Sequence, residues 1–267
     1  MIIRKEIVSQ WLASGSSPVD WCEENYQVSG SIAEFTNTLS NIMFFLIPTF
    51  CLGTGVWKSY ARYVSVGAYI QLIFFMIVGI SSAYFHATLS LFGQMLDEVA
   101  ILWLLCVSYS FLTPNKYRPK QLEGVWAHVL ALVVASCLTI AWFVAPQLNA
   151  YALFVVAIPI ILMKVNEITV YKNPATLRMA KVALSLTLIG IAAWIADKFM
   201  CGFWKSLRIP GLHNIWHILI AISSYLDITL FGYLRSLVDT PHSKPSIRYW
   251  PGKTFGLPYV HCRGTSR

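Results

Sequence analysis

HNIWHILIAISSYLDITLFGYL, His213 to Leu234, is an apolar run that opens on two histidines. About 20 such residues cross a bilayer as a helix. At i and i+4, His213 and His217 share one helix face, where two neutral imidazoles can bind one metal ion together. A third histidine, His86, closes another apolar run, and Asp97 follows at short range. Three histidine ligands with an open fourth position turn Zn²⁺ into a hydrolytic centre. The stretch therefore predicts a metal-dependent hydrolase set inside a membrane.

Composition extends the membrane reading to the whole chain. Its 267 residues are 57% hydrophobic and only 12% charged, with mean hydropathy +0.60. A soluble domain would carry about twice that charge fraction. An all-α bundle of seven transmembrane helices is expected, at about 33–57, 63–86, 94–113, 124–145, 148–169, 178–200 and 213–236. Pro159 and Lys164 interrupt the fifth span, which is tolerable where neighbours satisfy the freed carbonyl. No apolar signal segment precedes Asp20, so the first span is expected to direct its own insertion. The chain reads as one domain, with an N-terminal segment 1–32, a bundle 33–236 and a tail 237–267. The net charge of +8 is spread between the apolar runs, not gathered in one stripe, which argues against nucleic acid as a partner.

Lysine and arginine set the orientation. One side collects Lys58, Arg62, Lys116, Arg118, Lys120, Lys164, Lys172, Arg178, Lys181 and the tail from Arg235 to Arg267. The other has Arg4, Lys5, Lys198, Lys205 and Arg208. Positive residues stay cytoplasmic, so the C-terminus is expected in the cytosol and the N-terminus in the lumen. Cys22 and Cys201 both fall on that luminal side, where a disulfide can persist; two unrelated free thiols are the lesser alternative.

In this topology Ser82, His86, Asp97, Glu98, Asp197, His213 and His217 share the luminal leaflet. Ionisable residues are costly in a bilayer and mark a functional site by default. Ser82 lies at i to His86 at i+4 and so shares its face; the plain alternative is a serine bonded back to its own helix. Asp97, placed beyond a turn containing Gly93, is expected to fold back towards His86 and serve as base for the attacking water. An acid at a helix N-terminus is the competing account, and Glu98 fits that role better. Before the first span, Asp20, Trp21, Glu23, Asn25 and Glu34 spread oxygen ligands over a short segment, as calcium loops do, without the spacing of an EF-hand. An acidic luminal surface would look the same.

Five stretches together resemble alkaline ceramidases: DWCEENY (Asp20 to Tyr26), AEFTNTLSN (Ala33 to Asn41), SSAYFHATLSLFGQMLDE (Ser81 to Glu98), WIADKFMC (Trp194 to Cys201) and HNIWHILI (His213 to Ile220). The tail adds RYWP (Arg248 to Pro251) and GLPYV (Gly256 to Val260). The resemblance implies a seven-helix hydrolase with catalytic Zn²⁺ on His86, His213 and His217, beside Ser82 and Asp97. It implies Ca²⁺, structural or regulatory, on Asp20, Trp21 (through its carbonyl), Glu23, Asn25 and Glu34, and a disulfide between Cys22 and Cys201. Ceramide would be the substrate, cleaved to sphingosine and a fatty acid in a membrane of the endoplasmic reticulum or Golgi. The related adiponectin and progestin receptors are the alternative; their N-terminal region is cytosolic, whereas the charge bias puts this one in the lumen.

Overall fold

The computed structural model describes residues 9–209 and 211–264. Arg4, Lys5 and Arg267, which entered the charge count, lie outside them. Among the described residues seven helical segments are long and apolar enough to cross a membrane: Phe35–Thr54, Gly67–Thr88, Leu91–Phe111, Val125–Trp142, Pro146–Tyr171, Leu177–Phe199 and His213–Asp239. All seven expected spans are present, and their ends shift by a few residues.

The first span is two helices, α1 (Phe35–Ser40) and α2 (Met43–Thr54). At the break, Ser40 Oγ and Asn41 Nδ2 both donate to the Asn37 carbonyl, the side-chain competition that makes these residues poor helix interiors. A short α3 (Lys58–Tyr63) precedes α4 (Gly67–Thr88), and α5 (Leu91–Phe111) follows at once. The turn between α4 and α5 is Leu89 and Ser90: Leu89 adopts φ 47°, and Ser90 Oγ accepts from Gly93 N at 3.1 Å as the N-cap. Gly93 was expected in this turn, yet it sits in the first turn of α5. A Cβ there would meet Phe85 Cα at 3.0 Å, so glycine lets α5 approach α4 closely enough for Asp97 and Ser82 to line one cavity.

Further along lie α6 (Val125–Trp142), α7 (Asn149–Asn166), α8 (Leu177–Phe199), α9 (Cys201–Ser206) and α10 (His213–Asp239). Pro159 is held within α7, which runs on into a π-helical turn at Glu167–Tyr171. Lys164 corrects the orientation count. It is not a loop charge but a buried residue of α7, paired with Asp227 of α10 at 3.0 Å. The core sits between α2, α4 and α10, around Trp57, Tyr60, Phe75 and Tyr225.

The tail folds back as an antiparallel hairpin, β1 (Ser246–Pro251) and β2 (Gly256–His261), in register from Ser246 opposite His261 to Pro251 opposite Gly256. Tyr225 Oη and Thr229 Oγ1 donate to the Pro258 carbonyl at 2.7 and 3.1 Å. Extended backbone at this depth is tolerated only where protein satisfies its polar groups, and α10 does so here.

Candidate active site

His86 is the last basic residue of α4, while His213 and His217 form the first turn of α10. All three are buried, and one ligand atom from each lies within 4.8 Å of the others. Their ring centroids are 5.0, 4.8 and 4.5 Å apart. His86 Nε2 and His213 Nδ1 are buried without a hydrogen-bond partner among the described residues. Buried polar groups are normally satisfied, and an orphan demands an explanation such as an ion. Converging unpartnered imidazole nitrogens fit Zn²⁺, whose ligands of choice they are.

On two of the three rings the second nitrogen is held by a partner that sequence reasoning missed. His86 Nδ1 meets Glu34 Oε2 at 2.5 Å, and His217 Nδ1 meets Ser40 Oγ at 2.7 Å. Such outer bonds fix the tautomer and aim the opposite nitrogen at a metal. Glu34 ends the loop before α1, and Ser40 is set by the α1 break. Trp21 stacks on His213 with centroids 3.6 Å apart, which closes the site on its N-terminal-segment side.

Ser82 lies one turn before His86, and its hydroxyl reaches the Asp97 carboxyl. Asp97 Oδ1 itself has no hydrogen-bond partner among the described residues. Both line a cavity of about 490 Å³ that also takes in His213 and His217. The sequence thus placed the histidines, Ser82 and Asp97 together. Glu98 is a different case. It accepts from Gln94 Nε2 at 3.0 Å and from Asn149 Nδ2 at 2.9 Å, tying α5 to α7 rather than capping a helix.

Asp197 serves the scaffold as well. Its carboxylate accepts from the backbone N–H groups of Cys22, Leu212 and His213, so it satisfies the opening of α10. Cys22 and Cys201 form a disulfide that closes the same corner. Asp197→Ala is expected to lower the thermal unfolding temperature in detergent, since each backbone donor left unpaired costs about 1–3 kcal/mol. A melting curve that matches wild type would remove Asp197 from this role.

The acidic segment lies against the same histidines. Glu23 accepts from Thr36 N at 2.6 Å and Asn37 N at 2.8 Å, at the start of α1. Asp20 Oδ1 accepts from Asn25 Nδ2 at 3.3 Å. Glu34 takes Trp21 N on Oε1 and Asn37 Nδ2 on Oε2, each at 3.0 Å. Burial pushes the Glu34 carboxyl up to about 8, and the Asp20 charge adds to this. No ion pair with a lysine or arginine reaches Asp20, Glu23 or Glu34 among the described residues. Hard carboxylate oxygens lacking a cationic partner fit Ca²⁺.

The profile of the Ceramidase family matches residues 13–261. The chain is 36% identical over 263 residues to an alkaline ceramidase of Drosophila melanogaster, covering 96% of this chain and 91% of that one. It is 38% identical over 257 residues to alkaline ceramidase 1 of Homo sapiens, covering 94% and 96%. An alkaline ceramidase of Caenorhabditis elegans shares 28% over 270 residues, at 97% and 98% coverage.

Proposed function

The chain belongs to the alkaline ceramidase family, and from that premise we propose that it hydrolyses the amide of ceramide to sphingosine and a free fatty acid at a Zn²⁺ held by His86, His213 and His217. The observation that carries the zinc reading is the convergence of three buried imidazoles within 4.8 Å. Zinc, when bound, polarises the amide carbonyl and renders water nucleophilic near neutral pH. Asp97 accepts the proton of the attacking water and returns it to the departing amine. Ser82 donates a hydrogen bond to the carbonyl oxygen as negative charge develops there. The apolar cavity receives the lipid tails and keeps bulk water from the amide. Glu34 and Ser40 hold the His86 and His217 rings in place throughout. An endoplasmic reticulum or Golgi membrane suits this substrate.

The test is incubation of the detergent-purified protein with long-chain ceramide, reading sphingosine and fatty acid by mass spectrometry. Equimolar release of both supports the reading. Intact ceramide after prolonged incubation, with zinc supplied, would refute it.

Asp20, the Trp21 carbonyl, Glu23, Asn25 and Glu34 would hold Ca²⁺. Its charge would offset carboxylates that the neighbouring Lys198 does not pair, since the Lys198 ammonium reaches the Asp20 carbonyl and the Trp21 ring. Glu34 reaches both this segment and His86, so calcium and zinc would be linked through one carboxylate. Glu34→Ala is expected to lower activity and zinc affinity roughly 10–100-fold, the usual cost of losing an outer-shell partner. Wild type depleted of calcium by a calcium-selective chelator, with its zinc retained, should regain activity on addition of Ca²⁺, with no such rescue in the variant. Wild-type turnover indifferent to micromolar through millimolar calcium would leave Glu34 as a histidine partner alone.

A further inference from the structure

The cavity lined by His213 and His217 continues along α10 past Ile220 and Ser224 to Asp227. Asp227 lies ten residues beyond His217 on the same helix face, about 15 Å away at 1.5 Å per residue. At that depth polar side chains enter the apolar lining. Lys164 Nζ donates to Asp227 Oδ2 at 3.0 Å and to Thr187 Oγ1 at 2.8 Å, and Thr187 Oγ1 meets Ser223 Oγ at 2.7 Å. The Lys164 side chain is 1% exposed, while Asp227 keeps 16%. Asp227 Oδ1 has no hydrogen-bond partner among the described residues, and neither has Gln71 Nε2, a fully buried amide lining the same cavity.

An ion pair at this depth calls for a reason beyond stability. Replacing a buried pair by apolar residues is often neutral or stabilising, and ionisable residues within spans mark substrate paths. An unpaired carboxylate oxygen and an unpaired amide N–H lining one lipid cavity offer an acceptor and a donor to an incoming polar group. A hydrocarbon tail reaching this depth would leave both unsatisfied. A site built to hydrogen-bond a hydroxyl rejects the analogue that lacks it, because its own polar groups are then stranded.

Resting on the ceramide reading above, we propose that Lys164, Asp227 and Gln71 form a specificity subsite that favours a lipid tail carrying a distal hydroxyl and disfavours a plain hydrocarbon tail of the same reach. The hydroxyl donates to Asp227 Oδ1, and its oxygen accepts from Gln71 Nε2. Lys164 orients the carboxylate. Either tail of ceramide could present the group, and the two sources are separable by synthesis.

The test uses full-length protein in detergent and four ceramides: long plain tails, a terminal hydroxyl on the acyl tail, a terminal hydroxyl on the sphingoid tail, and two short tails. The readout is the ratio of kcat/KM within each enzyme, so that a general loss of activity cancels. Wild type should favour one hydroxylated substrate over the plain one by at least about tenfold, the discrimination a stranded polar group imposes. The paired variant Lys164→Leu/Asp227→Leu should invert that ratio in favour of the plain tail. A wild-type preference for the plain tail overturns the proposal without any variant. So does an unchanged ratio in the paired variant, which would mean that the pair only ties α7 to α10. Short-tailed ceramide separates the two readings: its hydrolysis by wild type keeps the ceramidase reading even if the tail ratios refute the subsite.

Discussion

His86→Ala, His213→Ala and His217→Ala are each expected to reduce sphingosine release to background and to cut bound zinc sharply. Three ligands and one open position are the minimum of a catalytic zinc site, and two imidazoles no longer hold the ion firmly. Deleting an outer partner should be milder. Ser40→Ala removes the hydroxyl 2.7 Å from His217 Nδ1, and the expected loss is roughly 10–100-fold in metal affinity or activity. The check is elemental analysis beside an activity assay on each purified variant. Full zinc occupancy in all three alanine variants would take these histidines out of the metal site.

Asp97→Asn is expected to keep zinc and lose about 10²–10⁴-fold in turnover, the usual worth of a positioned proton acceptor. The amide is nearly isosteric with the carboxylate and preserves the contact with Ser82, yet it cannot take a proton from water. Ser82→Ala should retain zinc as well and lose about 10²–10³-fold, in line with removal of one oxyanion donor. Kinetics across a broad pH range decide the matter. Wild-type turnover by Asp97→Asn would send the search for the base elsewhere, and Asp197 would not qualify, because three backbone N–H groups already occupy its carboxylate.

Much of this was legible in the sequence because one-dimensional signals encode it. Apolar runs of bilayer length gave the spans, and the four-residue spacing of His213 and His217 gave a shared face. What escaped were meetings between faces. Nothing in the residues around Glu34 says that its carboxylate touches His86 of another helix, or that Ser40 touches His217. Periodicity reports which way a side chain points along its own helix, not what it meets across a gap.

Lys164 shows the same limit from the other side. Counted as a cytosolic charge, it is buried and paired with Asp227. An acid within the seventh span was a visible signal, but its partner lies 63 residues away and no local pattern joins them. Gly93 failed for a third reason. Glycine marks both turns and close helix contacts, and only the packing of α5 on Phe85 reveals which applies here.

Zinc titration of metal-stripped protein tests the central claim most directly. Chelator-treated enzyme should release no sphingosine from ceramide. Added zinc should restore release in proportion to bound metal, saturating at about one ion per chain, as a single three-histidine site requires. Full ceramide hydrolysis by protein free of metal would contradict the account.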